Sequence, residues 1–161
     1  MNDLRNRSIM ELLALHVDII EELRQSGAIR SANTPTGNLA EFLFCQAFSW
    51  NQTPNSTKGF NARDNSGIRY QIKGRRLHRR NKSRQLSIIR DFSSFEILAA
   101  VLFGEKFDVE RAALIPKEIV QKRSKFISRT NGFRFMLTDD VWDEKLVTDV
   151  TEKLQAVLHE N

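Results

Sequence analysis

An α/β domain, with helices at both ends enclosing a central mixed β-sheet of about five strands, is what this sequence predicts. Three observations carry the prediction. Apolar residues recur at helical spacing near each terminus, polar and apolar residues alternate across a turn between Lys58 and Gly74, and Ile97–Phe103 is a continuous apolar run. At 161 residues the chain is the size of one domain with a core of its own. Hydrophobic residues make up 40% and charged residues 28%, proportions that exclude a disordered chain. The single cysteine, Cys45, excludes an internal disulfide or a thiolate metal cluster. The first residues, MNDLRNRSIM, lack an apolar signal core, and the longest apolar run is too short to span a bilayer, so a cytoplasmic protein is expected.

The elements follow in order. A first helix is predicted from Asp3 to Ser26, with Ile9, Leu12, Leu13, His16, Ile20 and Leu23 on its apolar stripe and Gly27 as the terminating glycine. His16, lying on that stripe, is expected to be a packed histidine. After the loop Arg30–Thr36, a second helix spans Asn38–Ser49. Leu39, Phe42, Leu43 and Trp50 form one face and Phe44 and Phe48 nearly the opposite one, as in a buried helix. Strands are expected at Lys58–Arg63, Ile68–Gly74, Gln85–Ile89, Ile97–Phe103 and Val109–Ile115. Pro116 opens a short helix to about Arg123, where proline suits a first turn. Phe133–Leu137 is the last predicted strand, and Thr138 or Asp139 caps a final helix reaching His159. The single domain thus divides into an N-terminal helix and loop (1–36), a core (37–138) and a C-terminal helix (139–161).

The hairpin is the informative segment. A three-residue loop, Asn65-Ser66-Gly67, puts Gly67 at the left-handed position such loops require. That register pairs Asp64 with Ile68, Ala62 with Tyr70 and Phe60 with Ile72 on one largely apolar face. The other face carries Arg63 opposite Arg69, Asn61 opposite Gln71 and Gly59 opposite Lys73. Asn61, Gln71 and Lys73 are therefore expected to stand together. Bland roles exist for each: a cross-strand polar pair for Asn61 and Gln71, a solvated lysine, and a capping box Asn38-x-x-Glu41 for Glu41.

Gln71-Ile72-Lys73 resembles the (D/E)xK signature of the PD-(D/E)xK, or restriction-endonuclease-like, nuclease superfamily. Gly59-Phe60-Asn61 is similar to the stretch that carries the family's first aspartate, and Glu41 resembles the acidic residue many members place on the preceding helix. The order of elements is similar to the family core over most of the chain. The resemblance implies a restriction-endonuclease-like core and a Mg²⁺- or Mn²⁺-dependent endonuclease, with Glu41, Asn61 and Gln71 as metal ligands and Lys73 assisting the phosphate. The departures are Asn61 and Gln71, amides where the family has acids. Asn61 marks either a binding protein descended from a nuclease or an engineered Asp-to-Asn change, and both make a non-catalytic DNA-binding module the alternative function.

From Lys73 to Arg84 the chain reads KGRRLHRRNKSR, seven Lys or Arg in twelve residues with no acid, whereas the segment from Asp139 to Glu160 is net acidic. This segregation, with a net charge of +5, points to a polyanion. Arg75, Arg76, His78, Arg79, Arg80, Lys82 and Arg84 are candidate DNA contacts, extended across the hairpin by Lys58, Arg63 and Arg69. A solvated charge run is the plain alternative. Without interleaved aromatic residues, the expected partner is duplex DNA rather than a single strand. A homodimer is expected if both strands are cut.

Overall fold

The computed structural model describes residues 3–30, 35–54 and 57–160 of the chain. Along it run α1 (Ile9–Gln25), α2 (Thr36–Phe48), β1 (Asn51–Gln52), β2 (Ala62–Arg63), β3 (Arg69–Arg76), β4 (Ile97–Phe103) and β5 (Val109–Pro116). There follow α3 (Lys117–Arg123), β6 (Lys125–Ile127), β7 (Gly132–Arg134), β8 (Thr148–Asp149) and α4 (Thr151–Glu160). The architecture is α/β.

The apolar run Ile97–Phe103 becomes β4, near the middle of a six-stranded sheet ordered β1-β2-β3-β4-β5-β8. β3 and β4 are parallel and the other pairs antiparallel, so the sheet is mixed. Because side chains alternate along a strand, β4 feeds two cores. Ala99, Val101 and Phe103 pack with Tyr70 and Ile72 beneath α2 and α4. Leu98, Ala100 and Leu102 pack on the other face with Leu86, Ile89, Phe95, Phe135 and Leu137.

The apolar circumference of α2 explains its place. Ala40, Leu43 and Phe44 are fully buried, and each large one contributes about 2–3 kcal/mol of transfer free energy. Ser49, with φ of 56°, ends the helix in the left-handed region. The chain then turns Trp50 into an aromatic ladder, 5.9 Å from Phe44, 4.9 Å from Phe48 and 3.6 Å from Tyr70. The helix begins at Thr36, two residues before the expected start, and no capping box forms at Asn38. The Oδ1 of Asn38 instead accepts from the Arg30 amide at 3.1 Å.

Several expectations change. The first helix divides into a 3₁₀ turn, Leu4–Asn6, and α1, because Ser8 and Glu11 form a capping box that fixes a new start. On α1, Ile9, Leu12, His16 and Ile19 are exposed, so His16 is not a packed residue. The side chain of Leu13 and most of the loop Arg30–Thr36 lie outside the described residues. Gln85–Ile89 is not a strand; it makes isolated bridges, Gln85 to Met136 and Ile89 to Phe133. Phe133–Leu137 does not enter the main sheet. Its first residues instead form β7, paired with β6 in a separate two-stranded ribbon. The long C-terminal helix is broken into a 3₁₀ turn, Asp139–Asp143, the edge strand β8, and α4. Trp142 donates its indole N–H to the Ala112 carbonyl, which pins the 3₁₀ turn to the sheet, and Leu146, an apolar position that a continuous helix would have turned inward, is exposed. Asp149 then accepts from the Thr151 amide at 2.9 Å and restarts the helix.

Candidate functional site

The hairpin forms in the expected register. Gly67 has φ of 85°, and Ala62 opposes Tyr70 while Arg63 opposes Arg69. Asp64 closes the turn through its carboxylate, accepting from the amides of Ser66 and Ile68. It also accepts from the Tyr70 hydroxyl at 2.9 Å, so it belongs to the turn and not to a metal site.

Beyond Asn61 the ladder stops. The Asn61 amide still donates to the Tyr70 carbonyl at 2.8 Å. The next acceptor, however, is its side chain: Oδ1 of Asn61 takes the Ile72 N–H at 2.7 Å, where a backbone carbonyl would otherwise pair. The preceding strand has peeled away. Gly59, with φ of 89°, makes the bend, and the Ser94 side chain occupies the space that a Cβ would need. Phe60, expected on the face of Ile72, consequently packs against the opposite core. Gly59 does not pair with Lys73.

Glu41 projects from α2 towards this open edge, its side chain 12% exposed. Its Oε1 accepts from Asn61 Nδ2 at 3.1 Å. Its Oε2 accepts from Arg30 Nη2 at 2.8 Å and from Gln52 Nε2 at 2.9 Å. Arg30 is held in turn by the Thr53 carbonyl. The carboxylate therefore carries a counter-charge and two amide donors.

Gln71 and Lys73 lie on the sheet face opposite Tyr70 and Ile72. Gln71 donates to the Gly59 carbonyl at 3.1 Å, and its Oε1 is buried without a partner. It lines a cavity of about 480 Å³ with Lys58, Gly59, Ile88, Arg90, Asp91 and Ser94. Lys73 donates to Ser87 Oγ at 2.6 Å. Burial lowers the pKa of its ammonium to about 8. Glu41 and Asn61 are thus brought together, and Gln71 and Lys73 are neighbours along one strand face. Among the described residues no hydrogen bond joins one pair to the other.

This donor set does not suit Mg²⁺, which demands oxygen ligands in near-octahedral array. Asn61 turns its nitrogen to Glu41 and uses its oxygen on backbone, and Glu41 is neutralised by Arg30. Gln71 offers a buried oxygen, but towards the other side of the sheet. Among the described residues no three His, Cys, Asp or Glu side chains cluster in a way that could hold a metal ion.

The basic residues divide by partner. Arg69 is bound by Glu96 through Nε and Nη2 and by the Ser93 carbonyl, which makes it a brace between β3 and the approach to β4. Arg84 pairs with Asp139, and Arg79 with Glu105. Arg75 donates to the Ser83 carbonyl, and Arg76 donates to the Glu105 carbonyl while lying over Phe107, so both keep an uncompensated charge. His78 and Asn81 exchange backbone bonds across a tight turn that holds Arg79 and Arg80 outward, and the His78 Nδ1 accepts from the Arg80 amide. Lys58, Arg63, Arg80 and Lys82 are exposed, with Arg63 over the ring of Phe60.

Sequence reasoning missed Arg30 and Gln52, which reach Glu41 from either side of α2 and have no spacing signal. A second basic segment, residues 117–134, holds six Lys or Arg and one acid. No protein-family model matches the chain, and no curated protein matches it.

Proposed function

We propose that this chain is a duplex-DNA-binding protein of restriction-endonuclease-like descent whose phosphodiester chemistry is disabled at Asn61. The observation that carries this reading is the bond from Asn61 Nδ2 to Glu41 Oε1. A nuclease of this type needs carboxylate oxygens facing a shared cation, and here an amide N–H occupies that direction. The DNA-binding half rests on Arg75, Arg76, Arg80 and Lys82, whose charges are not cancelled by acids and which crowd the end of β3 and its turn.

A second reading, a Mg²⁺- or Mn²⁺-dependent DNA endonuclease, is favoured by Lys73 and Gln71. A lysine with pKa about 8 and an unpartnered amide oxygen are features found at reactive sites. One experiment separates the two. With Mg²⁺ or Mn²⁺, this chain should leave supercoiled plasmid intact, and Asn61→Asp should nick it. Nicking by the unaltered chain that is lost in Lys73→Ala would establish the second reading instead.

A further inference from the structure

We infer that the β6–β7 ribbon is a second duplex-DNA contact, continuous with the face that carries Gln71 and Lys73; this rests on the DNA-binding reading above. The ribbon belongs to residues 117–134, which hold six Lys or Arg against one acid, a second basic segment less dense than the run at 73–84. Within it, Lys122 and Arg123 are neutralised by Glu144 and Asp140. Lys125 and Arg129 are exposed, and Arg134 is half-buried; none of the three pairs with an acid among the described residues.

The register makes the arrangement pointed. Lys125 stands directly opposite Arg134, and like charges at opposed cross-strand positions destabilise a ribbon. Phe126 opposes Phe133 on the other face, with rings 5.3 Å apart, and Phe133 meets Phe92 edge-to-face at 4.8 Å. Phe133 thus anchors the ribbon, Gly132 lies against Ile88, and the exposed Lys125 stands beside its like-charged partner at the free end of the pair. A polyanion removes the repulsion that this arrangement builds in. Two-stranded ribbons also have the width to enter a DNA major groove.

Continuity with the hairpin site runs through residues 87–90. Ser87 accepts from Lys73, Ile88 lines the cavity beside Gln71, and Ile89 exchanges backbone bonds with Phe133. Arg90 donates to the carbonyls of Thr130 and Asn131, bracing the ribbon's turn from the same cavity. A duplex lying along this face would meet Lys58 and Arg90, with Asp91 also in the cavity lining, and Lys125, Arg129 and Arg134 on the ribbon, so the net charge it meets is positive.

The test is fluorescence anisotropy with a labelled 20-base-pair duplex across a salt series. Full-length protein is compared with Lys125→Glu/Arg129→Glu and with Lys122→Ala, a control for an ion-paired cation of the same segment. The ribbon variant should lose affinity about tenfold or more and flatten the log-log salt slope by about two, the contribution of two phosphate contacts. The control should match the parent, and circular dichroism should be unchanged in all three, since the altered side chains are exposed. Binding by the ribbon variant equal to the parent's would overturn this inference while leaving the DNA-binding reading intact. Failure of the parent itself to bind duplex at low salt would overturn that reading and this inference with it. Tighter binding of the parent to single-stranded DNA or RNA would overturn the assignment to a duplex.

Discussion

On one side of β3, Glu41 accepts from Arg30, Gln52 and Asn61, so both carboxylate oxygens are engaged, although the buried Nε of Arg30 has no partner. On the other side, a residue away, Gln71 keeps a buried oxygen with none, and Lys73 holds an ammonium in surroundings that lower its proton affinity. Both sides flank the same strand, yet on one an ionised acceptor is fully engaged and on the other a neutral acceptor is buried and idle. A satisfied polar cluster stabilises a fold, whereas an unsatisfied one costs free energy and is more readily explained by an interaction with something outside the chain.

Breaking the Glu41 side should have the largest effect. Glu41→Ala leaves a half-buried guanidinium and two amides without their acceptor, and should lower the unfolding free energy by about 3 kcal/mol in urea titration. A loss below about 1 kcal/mol would mean the cluster does not hold the hairpin to α2. An intermediate effect comes from Lys73. Its folded pKa, about 8, lies below the ordinary lysine value of 10.5. Between those values the unfolded chain binds the proton and the folded chain does not, so this residue's contribution to stability rises with pH across that window. Relative to Lys73→Met, the parent should gain about 1–2 kcal/mol from pH 8 to pH 10. A flat difference across that range would place the ammonium in water. The smallest effect belongs to Gln71→Met, which removes the orphaned oxygen at similar volume. Thermal unfolding should show a change within about 1 kcal/mol, neutral or stabilising, and a clear loss would show that the amide's bond to Gly59 matters more than its unpaired atom.

Much of this geometry was legible in the sequence, but unevenly. The turn and its register could be read because Gly67 has one workable place and because a wrong register would have mixed apolar with polar residues across the pair. The buried α2 was legible because nearly its whole circumference is apolar. What could not be read was the point where β2 leaves the ladder: that depends on Ser94 meeting Gly59, a contact thirty-five residues apart. For the same reason Phe60 was assigned to the wrong core. The apolar spacing of α1 was real, but periodicity does not say what a stripe faces, and His16 proved exposed. Leu146 and Val150 share a helical pattern with the residues after them, yet the two-residue pairing of β8 with β5 divides that pattern. In the candidate site the sequence placed Asn61, Gln71 and Lys73 together on the hairpin, whereas Asn61 turns to Glu41 and away from the other two, and it was silent on the partners, Arg30 and Gln52, that determine what Glu41 can do.

The side-chain oxygen of Asn61 stands in for a strand's carbonyl at the Ile72 amide. Among residues of that reach, only asparagine and aspartate can supply an acceptor there, so the backbone restricts the position to two choices that differ by one charge. An exchange between them leaves the scaffold's connection to β3 intact. The cost of that exchange falls on Glu41: aspartate would keep the acceptor for Ile72 but set a second carboxylate where Asn61 now donates an N–H.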